Sequence, residues 1–343
     1  MRNFVDPEGN FILTIPNEWC YVNGMYGGED ALSSSFELAE NPIGCFQVLC
    51  KPSSVGNNFK MIELNDLFPQ KKGIRNLSFT EQHINQGKTN VIVWLALVES
   101  QLLMCKYIYN NGIQKEKIEE EIVKVKTCLK SIIIIPEEDR ENVLEKARYH
   151  KFMASLAAVN DLIFRAHENN SFIELVALLA NKIDALLRLS LILKEQIDND
   201  NDAINTKLIY QGEKDKAIHE RTVYSEAKEK GIIDEKLFER LNNQYNQRNK
   251  VIHRYIISDI LTKDIMKIVN EYILLEEKIN EIEMEIEKQQ FDLKKGILGS
   301  QGNHLSVDNK SDLERVIAMI GDKHANRDFS KKIFYKNLKK SEK

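Results

Sequence analysis

The chain has no surplus of charge of either sign. With 48 Lys and Arg against 52 Asp and Glu, its 343 residues carry a formal net charge of −4. Nothing therefore attracts the whole molecule to nucleic acid or to a membrane, and any basic surface is local. It also lacks an uninterrupted apolar run. The most apolar stretch, NVIVWLALVESQLLMCKYIY, is broken by Glu99 and Lys106 and reads as strands rather than a membrane span. The opening MRNFVDPEGNF has Asp6 and Glu8 where a secretion signal needs an apolar core, so a cytoplasmic protein is expected. Cysteine is scarce and confined to the first part of the chain: Cys20, Cys45, Cys50, Cys105 and Cys128. Odd in number, widely spaced and without a CxxC, they are expected to be reduced, buried thiols. Cys45 and Cys50, five apart in a strand-like run, are expected on opposite faces. No Gly-rich loop offers a phosphate cradle and no carboxylate cluster offers a magnesium site, so neither cofactor nor metal is expected.

What is present divides into two periodicities. Up to about residue 135 the signals are those of strands. NFILTIP alternates until Pro16, and Asn23-Gly24 and Gly27-Gly28 mark turns. SSSFELAE and GCFQVLC supply two more strands, MIELNDLF a short helix, and NVIVWLALV with LLMCKYIY a pair around Glu99-Ser100-Gln101. KEKIEEEIVKVKTCLKSI sets Ile118, Ile122, Val125 and Leu129 at helical spacing before SIIIIP closes the half. The order predicts an α+β domain with an antiparallel sheet over residues 1–135. In FILTIPNEW, Phe11 to Trp19, a strand runs into a Pro and a Trp, and the half resembles the PsbP-like α/β fold. That resemblance is one of pattern. His83, its only histidine, reads as a solvated loop residue.

From Pro136 the pattern is helical, predicting an all-α bundle over 136–295. Acidic residues fill the first turn, and Leu144, Phe152, Leu156, Val159 and Ile163 line one side of the first helix. Ser171 and Glu174 have capping-box spacing for the second. After the polar loop DNDNDAINTK, a third helix runs from KLIYQGEKDK to Gly231, and Asp234 caps a fourth. A fifth is expected from about Asn249 to Gln290, with a heptad-like seam of Leu261, Ile265, Ile268, Tyr272, Leu275, Ile279, Ile282 and Ile286. At that length it would span about 60 Å, so its far end is expected to meet a partner or to fold back on the first half. Residues 296–343 read as a flexible linker, one short helix (SDLERVIAMIGDKH) and a basic tail. Phe329, Phe334 and Tyr335 in the tail leave it open between a nucleic-acid contact and a solubilising segment.

The densest chemistry lies in QYNQRNKVIHRYIISD, Gln244 to Asp259. Histidine exchanges protons near neutral pH, and arginine forks onto phosphate oxygens. Together Arg248 and His253 supply a base for a ribose 2′-hydroxyl and a cation for the phosphorane, the parts of metal-free RNA cleavage. On one continuous helix, residues five apart point roughly 140° from each other. Convergence therefore needs either a helix break near Arg248, with Asn249 capping the next helix, or a second copy of the chain.

RNKVIH followed by RY resembles the RX4HXY form of the HEPN family, the higher eukaryotic and prokaryotic nucleotide-binding domains. The resemblance covers about residues 148 to 290, including the run-in YSEAKEKGIIDEKLFERLNNQ. It implies a metal-independent endoribonuclease acting on RNA as a homodimer, in a toxin or an antiviral-defence effector. By that resemblance Arg248 steadies the phosphate, His253 is acid or base, and Asn249 orients them. Tyr255 lines the cleft or serves as an antitoxin's modification point, and Asp184 is the added polar residue of the second helix. An antitoxin or defence-system protein is the implied partner, and no membrane is involved. Two plainer readings stand beside this one. The first is a catalytically silent HEPN dimerisation module that holds a protein partner. The second is a structural protein built on the long heptad helix, in which His253 is a half-buried helix residue, Arg248 a surface ion pair, Tyr255 core, and Asp184 solvated or paired.

Overall fold

The structure, a computed structural model, describes residues 1–22, 33–38, 41–52, 77–98, 101–212 and 215–300. The expected turns at Asn23-Gly24 and Gly27-Gly28, the helix MIELNDLF, the helix SDLERVIAMIGDKH and the basic tail lie outside them. The described chain is α+β and divides into two compact units between Leu144 and Glu145.

The first unit holds strands β1 (Arg2–Val5), β2 (Phe11–Ile15), β3 (Trp19–Tyr21), β4 (Ser34–Leu38), β5 (Gly44–Pro52), β6 (Thr80–Gln86), β7 (Thr89–Val98) and β8 (Gln101–Asn110). Among the described residues it also holds helix α1 (Lys115–Ser131) and strand β9 (Ile133–Ile134). All pairings are antiparallel, in the orders β1-β2-β9 and β3-β4-β5-β8-β7-β6. Alternation builds the core face: Leu103, Cys105 and Tyr107 of β8 are buried. They lie opposite Cys50, Val48 and Phe46 of β5 on one side and Ala96, Trp94 and Ile92 of β7 on the other. Helix α1 adds Ile118, Val125, Cys128 and Leu129 to the buried set. The Trp19 indole donates to the buried Glu121 carboxylate at 3.0 Å.

Sequence periodicity missed β1, β3 and β6. His83 lies in β6 and not in a loop; it is exposed and paired with Glu81 at 2.9 Å. The hairpin into β7 turns on Gly87, at φ +68°, where only glycine is free of strain. All five cysteines are free. Burial pushes the Cys45 thiol up to about 11 and those of Cys50 and Cys128 up to about 12, so they stay protonated and inert.

The second unit is helical. A 3-10 turn at Glu137–Asp139 and the start of α2 (Arg140–Glu168) precede the boundary; the rest of α2 is followed by α3 (Phe172–Asn199), α4 (Thr206–Ile209), α5 (Glu220–Glu229), α6 (Glu235–Arg254), α7 (Thr262–Leu293) and α8 (Gly296–Ser300). Helix α3 is apolar on most of its circumference, so it occupies the middle. Helix α7 packs along it with Ile265, Ile268, Tyr272, Leu275, Ile279 and Ile286 of the expected seam buried; Ile282 is half-buried, and Leu261, expected to open the seam, precedes the helix and is 54% exposed. Asp234 caps α6, accepting the Leu237 N–H at 2.7 Å, and Gly231 at φ +70° follows α5. No helix of the described residues is long and apolar enough to cross a membrane.

Several expectations need correction. The third helix is not continuous: α4 and α5 are separate, and residues 210–212 and 215–219 are non-helical. Ser171 precedes α3 but makes no side-chain cap hydrogen bond. The long helix starts at Thr262, and its 32 residues extend about 48 Å. Its far end is held by packing within the helical unit. Gln290 is fully buried and donates to Leu193 O (2.9 Å) and Gln196 Oε1 (2.8 Å). The expected linker begins instead with α8, whose Ile297 is buried.

Candidate functional site

Helix α6 carries the motif. Leu237, Leu241, Gln244 and Val251 form its buried side, and the helix continues unbroken through Arg248, Asn249 and His253 to Arg254. The expected break at Arg248 is therefore absent. Asn249 caps nothing: in mid-helix its Oδ1 accepts from Arg248 at 3.3 Å. The next helix is preceded by Leu261, whose N–H is accepted by the side chain of Asp264 in its first turn at 3.3 Å. The joint lies at residues 255–261, and it is uncovered: Tyr255 is 42% exposed, Ile256 94% and Ile257 81%. Tyr255 thus stands just beyond the helix and outside the core.

Arg248 turns inward. Its guanidinium pairs with the Glu220 carboxylate and lies 4.6 Å from the Tyr245 ring centroid, with Arg221 at 4.5 Å from the same ring. Glu220, the first residue of α5, also accepts from the Tyr224 hydroxyl. Burial works against the charge on Arg248, but Glu220 outweighs it and the guanidinium pKa is raised. Burial, with Glu220 adding to it, raises the phenols of Tyr224 and Tyr272. Tyr272 donates to Gln244 O at 2.9 Å.

Asp184, on α3, belongs to the same polar cluster. Its Oδ2 accepts from Arg188 at 2.7 Å, while Oδ1 is buried without a partner. Burial raises its pKa although Arg188 and, more weakly, Arg248 pull it down. Arg188 also donates to Leu208 O and Ile218 O, both at 2.8 Å. It thereby fixes both ends of the segment that delivers Glu220 to Arg248. Sequence reading did not find Arg188, Glu220 or Tyr224. The i, i+4 pairs Asp184/Arg188 and Glu220/Tyr224 were a visible signal; their meeting with Arg248 was not.

The His253 side chain is exposed on the last turn of α6 and hydrogen-bonds to no other described side chain. A groove of about 570 Å³ opens between α6 and the start of α7, lined by Asn243, Gln247, Lys250, Ser258, Asp264 and Lys267 among others; His253 does not line it, but stands one helical turn beyond Lys250. The structure thus brings Arg248, Asn249 and Asp184 into one cluster. His253 and Tyr255 remain on the outside. No group of three or more His, Cys, Asp or Glu able to hold a metal occurs among the described residues.

No protein-family model matches the chain, and no curated protein matches it. A solved structure from Bacteroides thetaiotaomicron VPI-5482 is similar at 13% identity, over 54% of this chain and 76% of that one, with a TM-score of 0.30. That likeness is too slight to assign a fold or an activity.

Proposed function

We propose that the chain is a metal-independent endoribonuclease of the HEPN type, active as a homodimer and serving as a toxin or antiviral-defence effector. The observation that carries this reading is the setting of His253. An exposed imidazole stands at a helix end beside Lys250 and Arg254, next to an uncovered apolar turn at Tyr255, Ile256 and Ile257. Two copies apposed at that turn would cover it and set two imidazoles around one RNA strand. One His253 takes the 2′-hydroxyl proton as the oxygen attacks phosphorus. The second copy's His253 gives a proton to the departing 5′-oxygen. The products are a 2′,3′-cyclic phosphate and a 5′-hydroxyl. Arg248 and Asp184 act from behind this surface, and Arg248 must exchange Glu220 for a phosphate oxygen to reach substrate. On this reading the amino-terminal unit senses, binds a partner or restrains the nuclease.

One observation favours a second reading, a silent HEPN dimerisation module that holds a protein partner. Arg248 is already neutralised by Glu220 and points roughly 140° from His253 around the helix. The two readings separate in one assay. Purified protein in EDTA should cut single-stranded RNA to cyclic-phosphate ends, and His253→Ala should not. Equal inactivity of both proteins, with dimerisation intact, leaves the silent module.

A further inference from the structure

We infer that the groove between α6 and α7 seats the nucleotide next to the scissile phosphate of a single-stranded RNA. The inference rests on the ribonuclease reading for the position of the phosphate, and on the groove itself for the rest.

Position comes first. Lys250 lies three residues before His253 on one helix, so the two side chains are neighbours on its surface, whereas Arg248 is on the other side. The cation that shares a face with the imidazole is therefore Lys250. It is exposed and in no ion pair among the described residues. Across the groove, Lys267 is 77% exposed and meets Asp264 only at 3.7 Å, a loose pair that a phosphate can displace. Arg254 and Lys263 are exposed nearby.

The lining then fits a nucleotide. The amides of Asn243 and Gln247 can donate and accept along a base edge, and Ile260 and Ile268 give an apolar surface for a base face. Gln244 is only 6% exposed and its side-chain oxygen has no hydrogen-bond partner. The volume is within the range of small-ligand sites. Unpaired RNA presents its base edges, whereas a duplex hides them, so the ligand is a single strand.

The test uses the full chain carrying His253→Ala, so that binding is read without cleavage. A short fluorescein-labelled single-stranded RNA is titrated by anisotropy at several salt concentrations. Lys250→Glu should weaken binding about tenfold and lower the salt slope by about 1. Gln247→Ala should weaken it without changing the slope. Lys236→Glu, at the opposite end of α6, should change affinity less than about twofold. If the His253→Ala protein binds RNA and neither groove variant alters that binding, the groove assignment is overturned while the nuclease reading stands. Lys250-dependent binding by a wild type that cuts no RNA supports the groove and removes the nuclease. Absence of RNA binding overturns the groove as well.

Discussion

Glu220 and Arg248, 28 residues apart in sequence, close on each other between α5 and α6, with the carboxylate side chain 11% exposed and the guanidinium 19%. Removing either partner strands the other in a place with little water. Glu220→Ala and Arg248→Ala should each cost about 3 kcal/mol in urea unfolding. Glu220→Ala combined with Arg248→Ala should cost less than the two single changes added together, since no charge is then left alone. Should Arg248→Ala unfold at the wild-type midpoint, the ion pair is not formed in solution. It follows that lost activity in Arg248→Ala does not by itself diagnose catalysis.

His253 should give the opposite signature. Its side chain is exposed and hydrogen-bonds to no other described side chain, so His253→Ala should shift stability by no more than about 0.5 kcal/mol. RNA cleavage should fall by about 10²–10⁴-fold, the usual reach of a general acid or base. A variant that still cuts RNA at the wild-type rate removes His253 from the chemistry.

The parts of this fold written in local pattern were legible. Strand alternation in LLMCKYIY, the seam from Ile265 to Ile286 and the cap at Asp234 each depend on residues within a few positions. The helix joint was not. Asn249 is a plausible cap by residue type, and the packing of Val251 against the core, invisible in the local pattern, carries α6 on past Arg248. Nor could periodicity show the non-helical residues between α4 and α5, because the hydrogen bonds from Arg188 to Leu208 O and Ile218 O span 20 and 30 residues. His253 and Tyr255 were singled out by a motif, and whether two copies bring them together is a property of an assembly that one chain's pattern does not encode.

Arg188 offers a test of that long-range support. It neutralises Asp184 and occupies two backbone carbonyls. Arg188→Leu leaves all three acceptors without their donor, and should cost about 3 kcal/mol or more. The loss should be felt first where α5 starts. Amides of Thr222 and Val223, which donate to His219 O at 2.8 and 3.2 Å, should exchange hydrogen faster than those of Leu187 or Leu191 in α3. Uniform acceleration across both helices would mean that Arg188 supports the whole unit and not this segment.

A buried carboxyl on α7 gives a prediction in pH. Glu283 is 5% exposed, its Oε1 has no partner, and burial, then the adjoining Glu287 carboxyl, pushes its pKa up to about 8 from an ordinary 4.5. Below the ordinary value both folded and unfolded chains hold the proton, and the group costs nothing. Between the two values the unfolded chain releases the proton and the folded chain keeps it. Stability therefore falls as pH rises, by up to about 1.4 kcal/mol per pH unit, and the loss levels off above the folded value. Glu283→Gln removes the titration while keeping a polar group of the same size. Its melting temperature should track the wild type near pH 4.5 and exceed it by a growing margin as the pH rises to about 8. Parallel melting curves for the two proteins across that window would show that Glu283 is ionised in the folded chain, and that a counter-charge or water reaches it.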